Sequence, residues 1–455
     1  MKRFSLFAVI AVLLLSSFGV MAQEPVTITW FVGIGTGGAP EQRAVQEQVV
    51  ADFNASQSDI VLELIIVENN VAVETLSTLI ATGEAPDIVG PAGFAGANQF
   101  RGLWLGLDDL VAADGYDLSQ FPQAAVDVQR DDTGALLGLP LANFPAVIFW
   151  RPELFEEAGL EPLPSAYGEP YILDGEEVEW NVETLREVAL RLTVDAEGFA
   201  ADEAEFDPEN IIQWGFQNQW ADPMRQNGTM FGPGSLYEVA EDGTYVAVMP
   251  DNWRTAFNWM YDGIWAEHFI PNAAQQGSDL LAAGNPFSSG NLAMAQSHLW
   301  YTCCFAEGDT TWDIAPIPSY NGTVTARLHA DTFRIMASTE NPEAAFEVLK
   351  YLTGEASLEL LSVYGGMPAR PEDQPTFFAT LDERFTQGVN WEIAGASLAY
   401  TDVPHHEEWL PNNNKAEDRI NAFWSLLQST PDLDVDAEID ALLEELNTIY
   451  NEVES

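Results

Sequence analysis

Hydrophobic positions alternate between strand-like and helix-like patterns at the start of the chain. Residues 26–32 are rich in β-branched and aromatic side chains and lead into a glycine-rich segment, which is typical of a strand followed by a turn. Val45, Val49 and Phe53 then recur at a spacing of four, which predicts one face of an amphipathic helix. The near-continuous apolar run over residues 60–67 predicts a strand that is covered on both faces.

The same alternation continues through one more helix and strand. Leu76, Leu79 and Ile80 mark a helix, and Gly83 stands where a left-handed C-terminal cap favours glycine. Residues 86–89 predict a short third strand. Three strands separated by two helices in this order predict a parallel sheet in an α/β domain.

The middle of the chain, residues 138–312, has a different pattern. It opens with a predicted strand over residues 145–150, followed by a helix that begins at Pro152 and ends at Gly159. Residues 195–210 are acidic and lack apolar periodicity, which favours a solvated loop. The rest is predicted to be turn-rich and is dense in tryptophan, namely Trp180, Trp214, Trp220, Trp253, Trp259, Trp265 and Trp300.

Strand and helix patterns return towards the C-terminus. Residues 314–318 and 333–336 are predicted strands. A helix is predicted to begin after Asn341 as its N-cap and to end near Gly354. The apolar spacing over residues 439–450 predicts an amphipathic helix that docks the end of the chain.

The N-terminus carries the pattern of a secretory signal peptide. Lys2 and Arg3 precede an apolar run over residues 6–15, and small residues at Val20 and Ala22 predict cleavage before Gln23. The alternative is a single membrane anchor, for which the apolar run is short. No cysteine lies near the cleavage site, and no later apolar stretch is long enough to span a bilayer. We therefore expect an exported, soluble protein without a lipid anchor, in the periplasm or another extracytoplasmic space.

The charge balance is strongly acidic. The chain has 17 Lys and Arg against 71 Asp and Glu, a formal net charge of −54, and 47% of its residues are hydrophobic. That hydrophobic content argues for a folded core, and after Arg3 the only lysines are Lys350 and Lys415. Such a chain repels phosphate backbones and anionic lipids, so we expect no nucleic-acid or membrane-surface partner. The acidity fits either a saline habitat or a partner with a basic docking face.

Signatures of catalysis and of metal or cofactor binding are missing from the sequence. There is no G-x-S-x-G, no H-E-x-x-H and no Gly-Lys dipeptide of a phosphate loop. The segment His405 to Glu408 could chelate a metal but fits a solvated turn before Pro411 better. We therefore predict no catalytic residue, metal or cofactor. A secreted glycoside-active enzyme that uses two of the many carboxylates remains the alternative.

One glycine motif imitates a dinucleotide-binding fingerprint. Gly33, Gly35 and Gly38 fit G-x-G-x-x-G after a strand. However, the carboxylate of Glu41 in the first helical turn competes with a pyrophosphate, and Glu68 lies too far along the chain to serve as the ribose ligand. We interpret the segment as a loop whose exposed backbone N–H groups meet a polar, uncharged ligand.

The two cysteines, Cys303 and Cys304, are adjacent. Neighbouring Cα atoms are about 3.8 Å apart across a trans peptide, so a disulfide between them is strained. Export favours oxidation, and two buried thiols are the alternative. The pair is flanked by Trp300, Tyr301 and Phe305, and strained features tend to occur at functional sites.

The order of motifs resembles that of a known family, the extracytoplasmic solute-binding proteins of carbohydrate ABC importers (the maltose-binding-like class). Each motif is weak alone, but they follow family order over almost the whole mature chain. One departure is Arg151, where the family often has Asn. The matching segments are residues 28–30, 79–89 (LIATGEAPDIV), 100–107, 138–140, 148–155 (IFWRPELF), 158–160, 206–216, 290–294 (GNLAM), 315–318, 341–352 and 366–370 (GMPAR).

The resemblance implies an α/β, two-lobed periplasmic-binding-protein fold of type II, with a ligand cleft between lobes joined by hinge strands. After a signal peptide over residues 1–22, lobe 1 would comprise 23–140 plus 313–367, and lobe 2 would comprise 141–312 plus 368–455. It implies a monomer that binds a mono- or oligosaccharide and, on lobe closure, delivers it to the permease subunits of an ABC importer. A same-fold binder of a non-sugar, cationic solute is the alternative.

The resemblance also implies a set of ligand-binding residues. Trp300 occupies the position where family members often place an aromatic ring that stacks on the ligand, and the vicinal disulfide would form part of the ligand floor. Asp331 and Arg370 would either bind sugar hydroxyls or pair with each other across the hinge. The complete predicted set is Gly35, Thr36, Gly37 and Phe94 on one wall, Asn143, Trp220 and Trp300 on the other, and Tyr301, Cys303, Cys304, His329, Asp331 and Arg370 nearby.

Overall fold

The computed structural model describes most of the chain from residue 24 onwards. The predicted signal peptide and the segment from His405 to Glu408 lie outside the described residues. None of the described helices is long and apolar enough to cross a membrane. The described residues are 24–35, 37–131, 133–219, 223–281, 285–305, 311–402 and 410–452, without the side chains of Glu41, Phe94, Ala95, Ala124, Cys303 and Cys304.

Fourteen strands and sixteen α-helices are formed by the described residues. The strands are β1 Val26–Val32, β2 Ile60–Ile66, β3 Ile88–Ala92, β4 Leu139–Trp150, β5 Tyr171–Leu173, β6 Glu176–Val178, β7 Val194–Asp195, β8 Ile211–Asn218, β9 Tyr237–Val239, β10 Tyr245–Ala247, β11 Leu292–His298, β12 Asp313–Ala315, β13 Leu328–Ile335 and β14 Met367–Pro368. The helices are α1 Pro40–Ser56, α2 Asn69–Thr82, α3 Phe94–Asn98, α4 Asp108–Asp114, α5 Gln123–Asp127, α6 Pro152–Glu157, α7 Val182–Arg191, α8 Pro223–Met230, α9 Asp251–Trp265, α10 Ala273–Gln276, α11 Pro342–Thr353, α12 Ser357–Tyr364, α13 Gln374–Arg384, α14 Glu392–Ser397, α15 Asn413–Ser429 and α16 Val435–Tyr450.

A ten-stranded mixed sheet carries the fold. Its main path runs β2-β1-β3-β13-β4-β11-β8-β7, with β12 and β14 also paired to β4. β1 is parallel to both β2 and β3, as the alternation of strand and helix patterns predicts. β13 is antiparallel to β3 and β4, and β11 is antiparallel to β4 but parallel to β8. The two parallel halves of the sheet are therefore joined through β4 and β13.

Strand β4 crosses from one half of the sheet to the other. All twelve of its residues are buried, which explains its continuous apolar pattern. Its first half pairs with β13 on one edge and with β14 on the other, and its second half pairs with β11 and β12. The strand begins at Leu139 rather than at the predicted residue 145. Asn143 and two prolines are unusual in strands, so the sequence pattern does not reveal its first half.

Helices cover the first half of the sheet as the apolar spacing predicts. α1 packs against β2 and α12, and α11 packs against β13, β4 and β1. The predicted cap at Gly83 is confirmed, since this residue ends α2 with a left-handed backbone (φ = 78°). Asn341 does occupy the N-cap position of α11, but its side chain makes no capping hydrogen bond.

The second half of the sheet lies between α7 on one face and α8 and α9 on the other. A Cβ at Gly215 on β8 would overlap the backbone of Ala189 on α7, so this strand and helix pack without an intervening side chain. Phe216, the next residue, contacts Trp259 of α9 on the opposite face. α15 and α16 cover α8 and α9 from outside.

The prediction of a turn-rich middle region, residues 138–312, is wrong for α9. This helix has fifteen residues and buries Trp253, Phe257, Met260 and Ile264, which recur at the spacing of one helical face. Tryptophan has only a modest helix propensity, so the aromatic content obscures the helical pattern. Trp180, Trp214, Trp253 and Trp259 are all buried, and they pack in the core.

Candidate functional site

Three aromatic rings meet where β4, β11 and β13 lie side by side. The ring of His298, the last residue of β11, lies 4.3 Å from the ring of Trp300 and 4.6 Å from that of His329 on β13. The rings of Trp300 and His329 are 4.8 Å apart, and Phe144 of β4 lies 5.2 Å from Trp300. The crossing strands thus bring together residues that are distant in the sequence.

Trp300 is positioned by the 3-10 turn Leu299–Cys304 that follows β11. Gly365 holds this turn close to the chain after α12, since a Cβ there would lie 3.1 Å from Thr302 Oγ1. Trp300 remains half-buried, unlike the core tryptophans. An indole ring that is fixed on one side and accessible on the other can stack on an apolar ligand face.

His298 is fully buried and fixes the neighbouring rings. Its Nδ1–H donates to the carbonyl oxygen of Phe144 at 2.8 Å, and its Nε2 lies 3.1 Å from Oε1 of Gln226 on α8. A glutamine amide can present either its donor or its acceptor end, so this arrangement accommodates both the neutral and the charged imidazole. His298 thereby ties β4, β11 and α8 together beside Trp300.

His329 and Asp331 lie two residues apart on β13, on the same face of the strand. Burial lowers the pKa of His329 well below its usual value, helped by the nearby His298, and its Nε2 is buried with no hydrogen-bond partner in the described chain. Burial raises the pKa of Asp331 to about 7. Both side chains are therefore held towards their uncharged forms.

The Asp331 carboxyl group reaches the loop that follows β3. A Cβ at Gly93 would lie 2.9 Å from Asp331 Oδ1, so any larger residue there would push the carboxyl group away. Asn143 pairs through its backbone with Ala330 of β13 and Met367 of β14. The structure thus brings Asn143, Trp300, His329 and Asp331 of the predicted set to the crossing strands.

The glycine loop after β1 is clamped from α1. Gly37 N–H donates to Gln42 Oε1 at 2.9 Å, and Gln46 Nε2 donates both to the Gly37 carbonyl and, at 2.9 Å, to the hydroxyl of Tyr364. The predicted availability of backbone N–H groups is therefore wrong for Gly37, whose N–H and carbonyl are both used within the fold. Gly35 is exposed and lies beside Pro91 at the end of β3, so it stays a candidate.

Tyr301 lies in the core, contrary to the expected place beside the ligand. Its side chain is fully buried, and its hydroxyl donates to Asn285 Oδ1 at 2.7 Å. Its ring contacts Phe149, Phe287 and Phe305, and burial raises the pKa of its phenol. Consecutive residues of a turn point in different directions, so Trp300 stays partly accessible while Tyr301 is buried.

Arg151, the departure from the family pattern, supports this aromatic core. Its guanidinium lies 4.6 Å from the centre of the Phe287 ring and donates to the Phe287 carbonyl at 2.6 Å and to Thr311 Oγ1 at 2.5 Å. The side chain is buried, and the contacts that fix it are with the segments that carry the aromatic residues. Arg151 thus positions the aromatic residues behind the turn that carries Trp300.

Arg370 is not brought to Asp331, so of the two alternatives the ion pair across the hinge is wrong for these two described residues. Its guanidinium donates to Gln120 Oε1 at 2.8 Å, to the Tyr116 hydroxyl at 3.2 Å and to the Thr353 carbonyl, and it lies over the ring of Phe121. The physical reason is the sheet order. β13 and β14 pair with opposite edges of β4, which separates the two side chains.

The remaining predicted residues lie outside the described parts of the chain. Thr36 and Trp220 are not described, and of Phe94, Cys303 and Cys304 only the backbone is described, with Phe94 at the start of α3. Their roles and the vicinal disulfide stay predictions. Among the described residues, no group of three or more His, Cys, Asp or Glu side chains is placed to hold a metal ion.

Sequence reasoning missed three polar side chains where α8 packs on the sheet: Gln226 on α8 itself, and Gln296 and His298 on β11. A signal was present in β11, whose last residues Gln296, Ser297 and His298 are polar although the whole strand is buried. Polar residues at the end of an otherwise apolar buried strand indicate a site better than isolated tryptophans do.

Comparison with known proteins places the chain in a family. Residues 38–359 match the family described as bacterial extracellular solute-binding protein. Because this match covers well over half of the chain, the protein belongs to that family, whose members bind solutes.

Solved structures with the same fold are similar in shape but distant in sequence. An ABC substrate-binding protein from Listeria monocytogenes in complex with cycloalternan has a TM-score of 0.72 at 19% identity, over 93% of this chain and 98% of that one. A solute-binding protein from Thermotoga lettingae with α-D-tagatose gives 0.67 at 17% identity, over 94% and 100%. The maltotriose-binding protein of Thermus thermophilus gives 0.64 at 17% identity, over 92% and 99%. The chain therefore has the two-lobed solute-binding fold, as the motifs predict.

Proposed function

We propose that the protein binds a sugar in the cleft between its lobes, outside the cytoplasmic membrane, and delivers it to the permease of an ABC importer. The observation that carries this proposal is the half-buried Trp300, whose ring contacts those of His298 and His329, with the largely neutral Asp331 two residues further along β13. Sugars combine C–H faces that stack on aromatic rings with hydroxyl groups that need both donors and acceptors.

The relatives support the same ligand class. The structural neighbours named above were solved with cycloalternan, D-tagatose and maltotriose, and all three are carbohydrates. We propose a monomer that works by lobe closure and has no catalytic activity. We also propose the lobe limits given by the motifs, 23–140 plus 313–367 and 141–312 plus 368–455.

A sugar panel tests the proposal directly. Thermal shift and isothermal titration with glucose, D-tagatose, maltose and maltotriose should identify at least one sugar that stabilises and binds the protein, with no release of reducing sugar from the oligosaccharides. Sugar release would show a glycoside-active enzyme instead. The absence of any response over the whole panel would contradict sugar binding.

A cationic solute is the second candidate because the chain is so acidic. The described residues at the crossing strands argue against it, since burial holds Asp331 towards its neutral form. Titration with spermidine separates the two candidates. Heat of binding that survives 0.5 M NaCl would favour a specific cationic ligand over nonspecific attraction to the acidic surface.

A further inference from the structure

A cluster of buried side-chain amides lies beneath α8, directly behind His298. Gln296 and His298 are two residues apart on β11 and share one face, and Asn218 of β8 is the register partner of Gln296. The amide of Asn218 donates to Asn227 of α8, and Gln226 of the same helix contacts His298. Four amides and one imidazole are therefore gathered between β8, β11 and α8, and we call them the amide cluster.

The amide cluster has hydrogen-bonding capacity that the described protein does not use. Gln296 is 0% exposed, and neither its Oε1 nor its Nε2 has a partner. Gln226 Nε2, Asn227 Nδ2 and Asn218 Oδ1 are likewise buried without partners. Leaving such a group unsatisfied costs about 1–3 kcal/mol, so this concentration calls for a polar occupant.

The cluster offers donors and acceptors in similar numbers and no fixed charge. Each amide has one N–H₂ end and one carbonyl end, and reversing an amide exchanges the ends without changing the total. A cation would leave the donors unsatisfied, and an anion would leave the acceptors unsatisfied. Hydroxyl groups both donate and accept, so a polyhydroxylated, uncharged group satisfies the cluster completely.

We infer that the amide cluster is an extension of the ligand site, which receives an uncharged polyhydroxylated end of the ligand beyond Trp300. This inference rests on the proposed sugar-binding function and specifies which part of the sugar is recognised and where. His298 joins the two regions, because its ring contacts Trp300 on one side and its Nε2 meets Gln226 of the cluster on the other. The same balance of donors and acceptors favours an uncharged sugar end over an amino sugar or a uronic acid.

The decisive variant is Gln296→Met, which keeps the shape of the side chain and removes both amide ends. We expect its affinity for the best sugar of the panel to fall at least about tenfold, since two hydrogen bonds to ligand hydroxyls are lost. The melting temperature of the unliganded variant should be unchanged or higher, because the change removes unsatisfied buried groups. A residue with a purely structural role would show the opposite combination.

Gln217→Met is the matched control. Gln217 is on β8 beside Asn218, is 4% exposed and has an unpartnered Oε1, but it faces α7 on the other side of the sheet, like Gly215. This variant should bind the sugar as tightly as the wild type. A set of monodeoxy analogues completes the test: removing the hydroxyl that enters the cluster should weaken binding to the wild type and leave binding to Gln296→Met unchanged.

The possible failures can be told apart. If the wild type binds an uncharged sugar and Gln296→Met binds it equally tightly, the cluster holds only water and the inference is overturned, while sugar binding stands. If the wild type binds no uncharged sugar, the proposed function fails and the inference fails with it. If Gln296→Met does not fold, Gln226→Met replaces it, with the same expected loss of affinity and the same contradicting result.

Discussion

Asp331 and His329 at the crossing strands are held towards their neutral forms mainly by burial, although the buried arginines Arg327 and Arg225 also act electrostatically on His329. Asp331 has its pKa raised to about 7 and His329 has its pKa lowered, and neither has a hydrogen-bonded counter-ion among the described residues. The neutral forms of these two groups suit a neutral ligand, because desolvating a charge on binding would cost more than sugar hydroxyls return. At the residue scale, these two buried groups therefore contrast with the acidic surface.

Trp300→Ala is expected to weaken sugar binding. Losing an aromatic stacking surface costs about 1–3 kcal/mol, or about 5- to 150-fold in affinity, measured by isothermal titration. Trp424→Ala on α15 is the control, since Trp424 is also half-buried but packs against the hydrophobic core near α9 and α16. Equal affinity of Trp300→Ala and the wild type would remove Trp300 from the site.

Asp331→Asn is expected to change how stability depends on pH. An aspartate in the unfolded chain has a pKa of 3.8, whereas burial raises the pKa of Asp331 in the folded protein to about 7. The folded state therefore binds this proton more tightly, so the stability contributed by the group is present below pH 4 and lost as pH rises towards 7. Asn imitates the protonated carboxyl at every pH. The variant should melt at a similar temperature to the wild type at pH 4 and at a higher temperature at pH 8. A difference that is independent of pH would contradict the raised pKa.

The oxidation state of Cys303 and Cys304 can be measured from the mass of the denatured protein. If Cys303 and Cys304 form a vicinal disulfide, reduction of the denatured protein should raise its intact mass by about two daltons, the two hydrogens that complete the thiols. Rapid alkylation of both residues in unreduced, denatured protein would show free thiols instead.

Among single residues, sequence could place Trp300, His329 and Asp331 near the crossing strands, but it could not place Tyr301 or Arg370. The first three placements follow from family position, and their roles in binding stay predictions. The direction of a side chain in a turn and the edge of β4 to which a strand pairs depend on tertiary contacts, so Tyr301 in the core and Arg370 among Tyr116, Gln120 and Phe121 could not be foreseen.

At the scale of elements, the clamped loop between β1 and α1 illustrates how a helix fixes a glycine-rich loop. Gln42 and Gln46 are one turn apart on α1 and hold Gly37 from the same side. The sequence shows a glycine-rich turn, but the partners of its backbone groups come from side chains that apolar periodicity ignores. This is why the pattern predicts the loop but not which of its N–H groups are available.

Gly37→Ala is expected to destabilise the protein more than the loss of a glycine with positive φ does by itself. Gly37 has a φ of 110°, and a Cβ there would overlap a methyl group of Val32 and crowd the Gln46 amide. Gly102→Ala is the control, since Gly102 also has a positive φ but open space around the added Cβ. The control should lose about 1–2 kcal/mol in urea unfolding and Gly37→Ala clearly more. Equal losses would mean that the overlap relaxes freely.

Strand and helix patterns predict the elements that bury one regular face. The predictions for β1, β2, β3, α2 and α16 lie close to the observed limits. The first residues of β13 escape prediction because His329 and Asp331, both candidate ligand-binding residues, interrupt its apolar pattern. Polar side chains within a buried strand thus conceal that strand in the sequence.

At the scale of the whole molecule, the charge of −54 sets the conditions under which the fold is stable. Exposed ion pairs such as Lys350–Asp114 and Arg254–Asp440 contribute little each, whereas 71 acidic residues against 17 basic ones repel one another over the whole surface. The screening length falls from about 10 Å at 0.1 M salt to about 3 Å at 1 M, so salt weakens the repulsion more than the attraction.

The melting temperature is therefore expected to rise by several degrees between 0.05 and 1 M NaCl at pH 7.5, since each kcal/mol recovered is worth about 2–4 °C for domains of 150–250 residues. The same titration at pH 4 is the control. Carboxylates with ordinary pKa values of about 4 are then half protonated, the repulsion is smaller, and the rise should be smaller too. An equal rise at both pH values would point to a general salting-out effect on apolar burial. No rise at pH 7.5 would mean that the acidic side chains are far enough apart that their repulsion does not destabilise the fold. Only a rise that depends on carboxylate ionisation connects the composition to stability in saline surroundings.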